Sequence, residues 1–328
     1  MLKTLSIGNA FFDLFIPLDD NLINGDNISI PLGIKHNLHD IVRSSGGGAV
    51  NTSISLSYLG NEAYFGGILN ADSWGQYIQQ CLKDANVKLD GATFLENETS
   101  SFSLVFTSCG ERSILINPGT NVHLHAPLLD TELISKMDWV YLSHLSTDDN
   151  DVTSVLEALT DCSIPKLTWN PGGSQLKKGM DDLVNKAILK KTTVILLNTT
   201  ELKLFTGVSD VRDGITLLHN HGVDYCVISD GGNGAHGSDG STLWYCPALS
   251  ILDSSLKCID TTGAGDALGS AATSALANGK TLPEALKNGT INAASVVSHL
   301  GAQAGLLTQT LLNEWQQRYP LLVTDSPL

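Results

Sequence analysis

Beyond residue 120 the chain repeats one unit: a short, continuous apolar run followed by a stretch compatible with a helix. The runs occupy 139–142, 167–169, 194–197 and 225–228. A strand wetted on one face alternates apolar and polar residues, so strands that are apolar throughout must be covered on both faces. Covered strands alternating with helices form a parallel sheet between two helix layers. The fold expected is therefore α/β, a doubly wound, mainly parallel sheet with helices on both faces. With 328 residues, 42% hydrophobic and 16% charged, the chain can fill such a core. Ligands of these sheets sit beyond the C-terminal strand ends. Polar groups stand there: Asn170, Asn198 and Asp230, the last within Ser229-Asp230-Gly231-Gly232-Asn233-Gly234.

Residues 260–266 read Asp260-Thr261-Thr262-Gly263-Ala264-Gly265-Asp266, and a small-residue helical pattern follows. The preceding 256–259 suits a strand end. The first N–H groups of a helix lack intrahelical partners and carry partial positive charge. Glycines there let an anion approach them. An acid inside such a turn repels a bound phosphate unless it has a task, and phosphoryl transfer supplies one: taking the proton of the attacking hydroxyl. Two other readings stand beside this one. The turn is an ordinary tight connection with a first-turn helix acid, or Gly263-x-Gly265-x-x-x-Gly269 is a dinucleotide-binding turn. The second fits poorly, because that fingerprint opens the first βαβ unit of its domain.

Upstream, 5–9 reads as a first strand continued by 11–16. Asp13 stands between Phe12 and Leu14, either as an exposed edge acid or as the partner of a polar ligand. Residues 44–51, Ser-Ser-Gly-Gly-Gly-Ala-Val-Asn, place three glycines before a short helix that stops at Gly60. They suggest a hinge or a close backbone–ligand approach. A helix is expected over 73–86. Residues 102–106 and 112–116 form a hairpin turning at Cys109-Gly110-Glu111. Paired with 11–34, it would make a small sheet able to close over a site. Asn198 and Glu201 lie three apart across a strand-to-helix turn, as a helix cap or as a holder of Mg²⁺ through its waters. Thr281-Leu282-Pro283-Glu284 opens a second helix bearing Asn292, which is exposed or lines a nucleotide pocket. Phe11, Phe12 and Trp169 either stack on a base or fill core.

The net charge of −15 argues against a nucleic-acid partner, whose phosphates are bound by Lys and Arg. No apolar run is long enough to span a membrane, and the N-terminus makes a poor signal peptide. Six scattered cysteines without a Cys-x-x-Cys pair suggest reduced thiols and a cytoplasmic setting. His144, His219, His221 and His299 form no metal-ligand pair and read as structural or surface residues.

Taken together, these stretches resemble the ribokinase-like (PfkB) family of carbohydrate and nucleoside kinases, from about residue 3 to about 306. The 260–266 stretch is similar to the family's C-terminal signature, Gly46-Gly47-x-Ala49-x-Asn51 to its N-terminal one, and Asn198-x-x-Glu201 to its magnesium motif. The resemblance implies one ribokinase-like domain over 1–328, with a β lid from about 11–45 and 100–118. It implies ATP-dependent transfer to a sugar hydroxyl, with a nucleoside kinase or an idle binding module as alternatives. Asp266 would be the general base, and the amides of Gly263, Ala264 and Gly265 the anion hole. Asp13, Gly46, Gly47 and Asn51 would bind the acceptor, and Asn198, Ser229, Gly231, Gly234 and Asn292 the ATP. Glu201 would hold Mg²⁺ through water. Asp260 and Ala302 would flank a monovalent cation such as K⁺. The small sheet either pairs with another copy, giving a homodimer through the β lid, or serves one chain as a lid. Leu268 stands where the family usually has Phe, Asn170 where many members have Asp, and Gly48 where ribokinases proper have Lys.

Overall fold

The computed structural model describes residues 1–328 except 26, 109, 110, 146, 147 and 165. The predicted turn at 109–110 lies outside the described residues. In chain order the strands that build the site are β1 (Lys3–Ile7), β2 (Phe11–Pro17), β3 (Val42–Gly46), β4 (Glu62–Gly66), β5 (Phe102–Ser108), β6 (Glu111–Asn117), β7 (Trp139–Leu142), β8 (Leu167–Trp169), β9 (Val194–Asn198), β10 (Tyr225–Ser229), β11 (Gly234–Ser238), β12 (Thr242–Pro247) and β13 (Thr324–Pro327). The helices that matter are α1 (Gly48–Tyr58), α2 (Ser73–Asp84), α3 (Asp149–Asp161), α4 (Thr199–Thr206), α5 (Val211–Asn220), α6 (Ala264–Ala277) and α7 (Leu282–Val297).

The main sheet has nine strands in the order β13-β12-β11-β10-β9-β8-β7-β1-β4. Strands β4, β1, β7, β8, β9 and β10 run parallel, and β11–β13 continue the sheet antiparallel. The apolar runs serve both faces, as a period of two requires. Val140, Leu142, Leu167, Trp169, Ile195 and Leu197 meet α3, α4 and α5 on one side. Trp139, Tyr141, Val194 and Leu196 meet α6 and α7 on the other. Trp169 is buried edge-to-face on Phe205 of α4, with centroids 5.8 Å apart, and Phe12 is stacked on Trp74 of α2. Both aromatics are therefore core, not stacking platforms.

A second sheet of four strands, ordered β6-β5-β2-β3, sits over the C-terminal ends of the parallel strands. Strand β2 does not prolong β1. The chain leaves the main sheet at Gly8 and enters the small one at Phe11. The crossing is tight, since a Cβ at Gly8 would fall on Ser143 Oγ just beyond β7. In the small sheet β2 pairs parallel with β5 and antiparallel with β3.

Helix α1 starts at Gly48, earlier than expected, which puts Asn51 in its first turn. Residues 256–259 are not a strand. They run irregularly along the end of α7, where the Ile259 N–H donates to Val297 O at 2.7 Å. Asn198 and Glu201 form a reciprocal capping box at α4, and Thr281 and Glu284 form one at α7. Among the described residues no helix is long and apolar enough to cross a membrane.

Candidate active site

Gly263 stands at the N-cap of α6, and its φ of 77° is left-handed and suits glycine. A Cβ there would stand 2.5 Å from Ala302 Cβ, so the 301–303 segment packs directly on the turn. Over Gly265 the case is opposite: an added Cβ would meet nothing within 4 Å. The space over Gly265 is thus open, as it must be where a helix N-terminus takes an anion, while the Ala264 N–H turns back to Thr261 O at 3.3 Å.

Asp266 follows in the first turn. Its Oδ2 accepts from Asn51 Nδ2 at 2.8 Å. Burial pushes its carboxyl up to about 6, and the Asn51 bond offsets only part of that rise. Beneath it lies Tyr141 of β7, a fully buried phenol held above its ordinary range by burial and by the negative charges of Asp266 and Glu201. Its hydroxyl fills the place where Gly269 would carry a Cβ. The third glycine of the dinucleotide-like pattern is therefore a slot for a core tyrosine.

On the small-sheet side, Asp13 is 9% exposed, and its Oδ1 accepts from Ser103 Oγ at 2.5 Å. Burial raises its carboxyl to about 6, with Ser103 working against the rise and Asp260 adding to it. Gly46 is needed because Asp13 Oδ2 lies where its Cβ would be. Gly47, with φ 93°, lets the backbone pass against Asn9. The space freed by these two glycines is filled by this chain's own atoms. A Cβ at Gly48 would lie 2.7 Å from Ser143 Oγ and 3.6 Å from Asp266 Oδ1. Asp13 and Ser103 thus meet at Gly46, and Ser143 and the Asn51–Asp266 pair meet at Gly48, so that these polar groups gather around the 46–48 turn.

On the other side of the α6 N-terminus a cavity of about 250 Å³ opens between β10 and α7. Ser229, Gly231 and Gly234 line it, as does Lys257, and Ala264 and Gly265 join it to the helix start. Asn292 does not line it. It is fully buried, donating to Ala267 O and accepting from the Leu307 N–H. The cavity face of α7 belongs instead to Thr290, Ala293, Ala294 and Val297. Asn198 is also absent from the walls, with its carbonyl engaged in the α4 cap. Glu201 is half-buried, and burial raises its carboxyl against the opposing hydrogen bonds of Asn198.

Asp260 and Ala302 both pack at the turn before α6. Asp260 Oδ1 accepts from Arg112 Nη1 at 2.7 Å and from the Thr262 N–H at 2.9 Å, and Oδ2 accepts from the Gly301 N–H at 2.9 Å. Burial alone would raise this carboxyl, but the Thr262, Gly301 and Arg112 contacts hold it below the usual range. Arg112 also lies 2.9 Å from the hydroxyls of Thr261 and Thr262. It belongs to β6, so the small sheet is fastened to the turn before α6. Arg112, Ser103, Ser143 and Gln303 escape a reading of the sequence. Arg112 alone carries a signal there, as the one cation in the stretch 102–117. Asn170, in turn, is tied to the sheet by a bond from Nδ2 to Leu196 O, and a Cβ at Gly172 would fall on the His144 ring.

Among the described residues no group of three His, Cys, Asp or Glu converges on a metal position. Mg²⁺ keeps several waters and takes one or two carboxylates besides substrate phosphates. A single half-buried carboxylate, Glu201, whose charge with that of Asp266 is felt by Tyr141, fits that habit.

The profile of the pfkB family carbohydrate kinases matches residues 5–309. The chain is 26% identical to a ribokinase of Arabidopsis thaliana, over 90% of this chain and 76% of that one. It is 26% identical to an aminoimidazole riboside kinase of Salmonella typhimurium, over 85% and 90%. Its fold matches that of a putative ribokinase II from E. coli in complex with ATP and Mg²⁺, with a TM-score of 0.80 at 17% identity, over 97% of this chain and 100% of that one. The chain belongs to the pfkB family of carbohydrate kinases and is an ATP-dependent kinase of the sugar and nucleoside class.

Proposed function

We propose that this chain transfers the γ-phosphoryl of ATP to a hydroxyl of a sugar, with Asp266 as general base and the 263–265 amides as anion hole. One observation carries the reading. A half-buried carboxylate sits in the first turn of a helix whose start borders a cavity, and it accepts from Asn51 beside the polar groups of the 46–48 turn. The nucleoside would lie in the cavity along Ser229, Gly231 and Gly234, between apolar walls with a few polar groups, as small-molecule sites have. The acceptor would lie against the polar groups around the 46–48 turn, bonded to Asp13 and Asn51. Gly46 and Gly47 serve indirectly, by letting Asp13 and the backbone take their places.

In the reaction the acceptor hydroxyl attacks phosphorus in line, a new O–P bond forms, and the bond to the β-phosphate oxygen breaks to leave ADP. The hydroxyl proton passes to Asp266, and the α6 amides stabilise charge on the transferring group. When bound, Mg²⁺ supplies charge neutralisation between the phosphates, and Glu201 would hold it through water. The small sheet would act as a lid that excludes water.

Sugar is favoured over nucleoside because two of the three aromatics weighed for base stacking, Phe12 and Trp169, are buried in core contacts, which leaves the half-buried Phe11 alone. The test is ADP release with Mg-ATP across pentoses, hexoses and nucleosides. Turnover confined to nucleosides overturns the sugar assignment, and turnover with no acceptor in either class overturns the kinase site.

Glu201 separates its two roles cleanly. In Glu201→Gln the amide oxygen still caps α4 while the charge is lost. The Mg²⁺ concentration for half-maximal rate is expected to rise about tenfold or more, at a melting temperature close to wild type. An unchanged Mg²⁺ requirement would leave Glu201 as a cap alone.

The lid also presents Ile114, Leu115 and Ile116 of its outer strand, 41%, 59% and 61% exposed. A second copy pairing on this edge would cover them, as exposed apolar edges require. Sedimentation at micromolar concentration should give a dimer that Ile116→Asp dissociates, and a monomeric wild type refutes the pairing.

A further inference from the structure

Three consecutive residues after α7 each touch a different part of the site. Gly301 donates to Asp260, Ala302 packs on Gly263, and Gln303 joins Asn51 to Ser45. The last of these belongs to a hydrogen-bond chain with a direction. Ser45 Oγ donates to Gln303 Oε1 at 2.9 Å, Gln303 Nε2 to Asn51 Oδ1 at 2.9 Å, and Asn51 Nδ2 to Asp266 Oδ2 at 2.8 Å.

The direction follows from the end of the chain. An ionised carboxylate only accepts, so Asn51 must meet it with NH₂ and leave its carbonyl for another donor. A primary amide turned over by half a rotation has nearly the same shape, so packing alone does not choose between the two orientations. Asn51 is 4% exposed, and Gln303 is the donor its carbonyl has. Gln303 is fixed in turn by Ser45, which is 1% exposed and lies on β3 of the small sheet. Every link is aligned toward the carboxylate, and aligned links strengthen one another.

We infer that Gln303 is a positioning residue, which locks the Asn51 amide with its NH₂ on Asp266 and, through Ser45, ties the aim of the base to the seating of the small sheet. This rests on the reading of Asp266 as base. Gln303 itself needs no contact with either substrate. Without its N–H, Asn51 turns its carbonyl toward Asp266 part of the time, and the carboxylate is pushed off its line to the acceptor.

Two substitutions test it. Gln303→Met keeps the length of the side chain and removes both hydrogen bonds. Gln303→Glu places an acceptor where Asn51 needs a donor. With Mg-ATP and the best acceptor from the screen, kcat should fall about tenfold in Gln303→Met, the rate equivalent of one lost hydrogen bond, and further in Gln303→Glu. The KM for ATP should stay within about twofold, because the nucleotide cavity is untouched. Ser45→Ala combined with Gln303→Met should cost no more than Gln303→Met alone. Thermal melting and calorimetric ATP binding confirm that each variant is folded.

A wild-type kcat in Gln303→Met, or equal rates in the Met and Glu variants, overturns the inference. Asp266→Asn measured alongside separates the two levels. If it is inactive while Gln303→Met is fully active, only the role of Gln303 fails. If Asp266→Asn itself turns over normally, the base assignment fails and takes the inference with it.

Discussion

Asp266→Asn should lose turnover by about 10²–10⁴-fold, the usual contribution of a positioned base, and should also make the protein more stable above pH 6. The second effect follows from the same burial that suits the residue to its task. The native carboxyl titrates near 6 against 3.8 for the unperturbed group. Below pH 3.8 both folded and unfolded chains hold the proton, and no penalty exists. Between these values the unfolded chain releases its proton and the native one retains it, so stability falls as pH rises. Above 6 the native chain carries a buried charge at the full cost of roughly two pKa units, about 3 kcal/mol before discounting for partial exposure. Asparagine keeps a carbonyl for the Asn51 N–H and carries no charge. Urea unfolding should show the variant more stable by about 1–3 kcal/mol near pH 8 and equal to wild type near pH 4. A gain that does not depend on pH would mean that the carboxyl is not stripped of water in the native state. Asp13, raised to about 6 by the same cause, adds to the penalty. In the wild type, kcat/KM should decline as pH drops through about 6, where the free enzyme's base takes up its proton.

The parts of this molecule legible in the sequence are those whose physics is local. Strands covered on both faces must be apolar throughout, so the parallel sheet announces itself at β7–β10. An anion-receptive helix start needs glycines, so 263–265 stands out, and the acid beside it is conspicuous. What stayed hidden depends on groups distant in the chain. Gln303 and Asn51 are 252 positions apart, and Arg112 and Asp260 are 148 apart. Nothing near Gln303 in the sequence marks its amide as half of a pair. Gly46 and Gly47 suggest a hinge or a close backbone–ligand approach, whereas what approaches them in the fold is Asp13 and the Asn9 backbone, which no local pattern names. Strands β1 and β2 merge in the sequence because the break between two sheets needs only a few residues around Gly8. Asn292 is a different case, because helical phase alone turns it away from the cavity. Residues 290, 293, 294 and 297 share one face of a 3.6-residue helix, and 292 points elsewhere.

The two glycines that open α6 should respond to alanine in opposite ways as regards folding and alike as regards chemistry. At Gly263 the left-handed φ of 77° and the approach of Ala302 both resist a side chain. Ala302 cannot readily yield, because Gly301 is tethered to Asp260 and Gln303 to Asn51. Gly263→Ala should therefore cost about 2–4 kcal/mol of stability from backbone strain and overpacking, with turnover reduced by about 10²–10³-fold as the amides shift. Gly265 is helical and unobstructed, and alanine is the better helix former, so Gly265→Ala should fold as well as wild type or gain about 0.5–1 kcal/mol. Its methyl group, however, stands in the open space over the first amides, where the transferring phosphoryl is proposed to lie. Turnover should fall by about 10²-fold or more in a protein with an unchanged or higher melting temperature. That combination cannot come from a folding defect. If Gly265→Ala retains its activity, the space over these amides is not where the phosphoryl passes, and the anion hole must be sought elsewhere along the cavity.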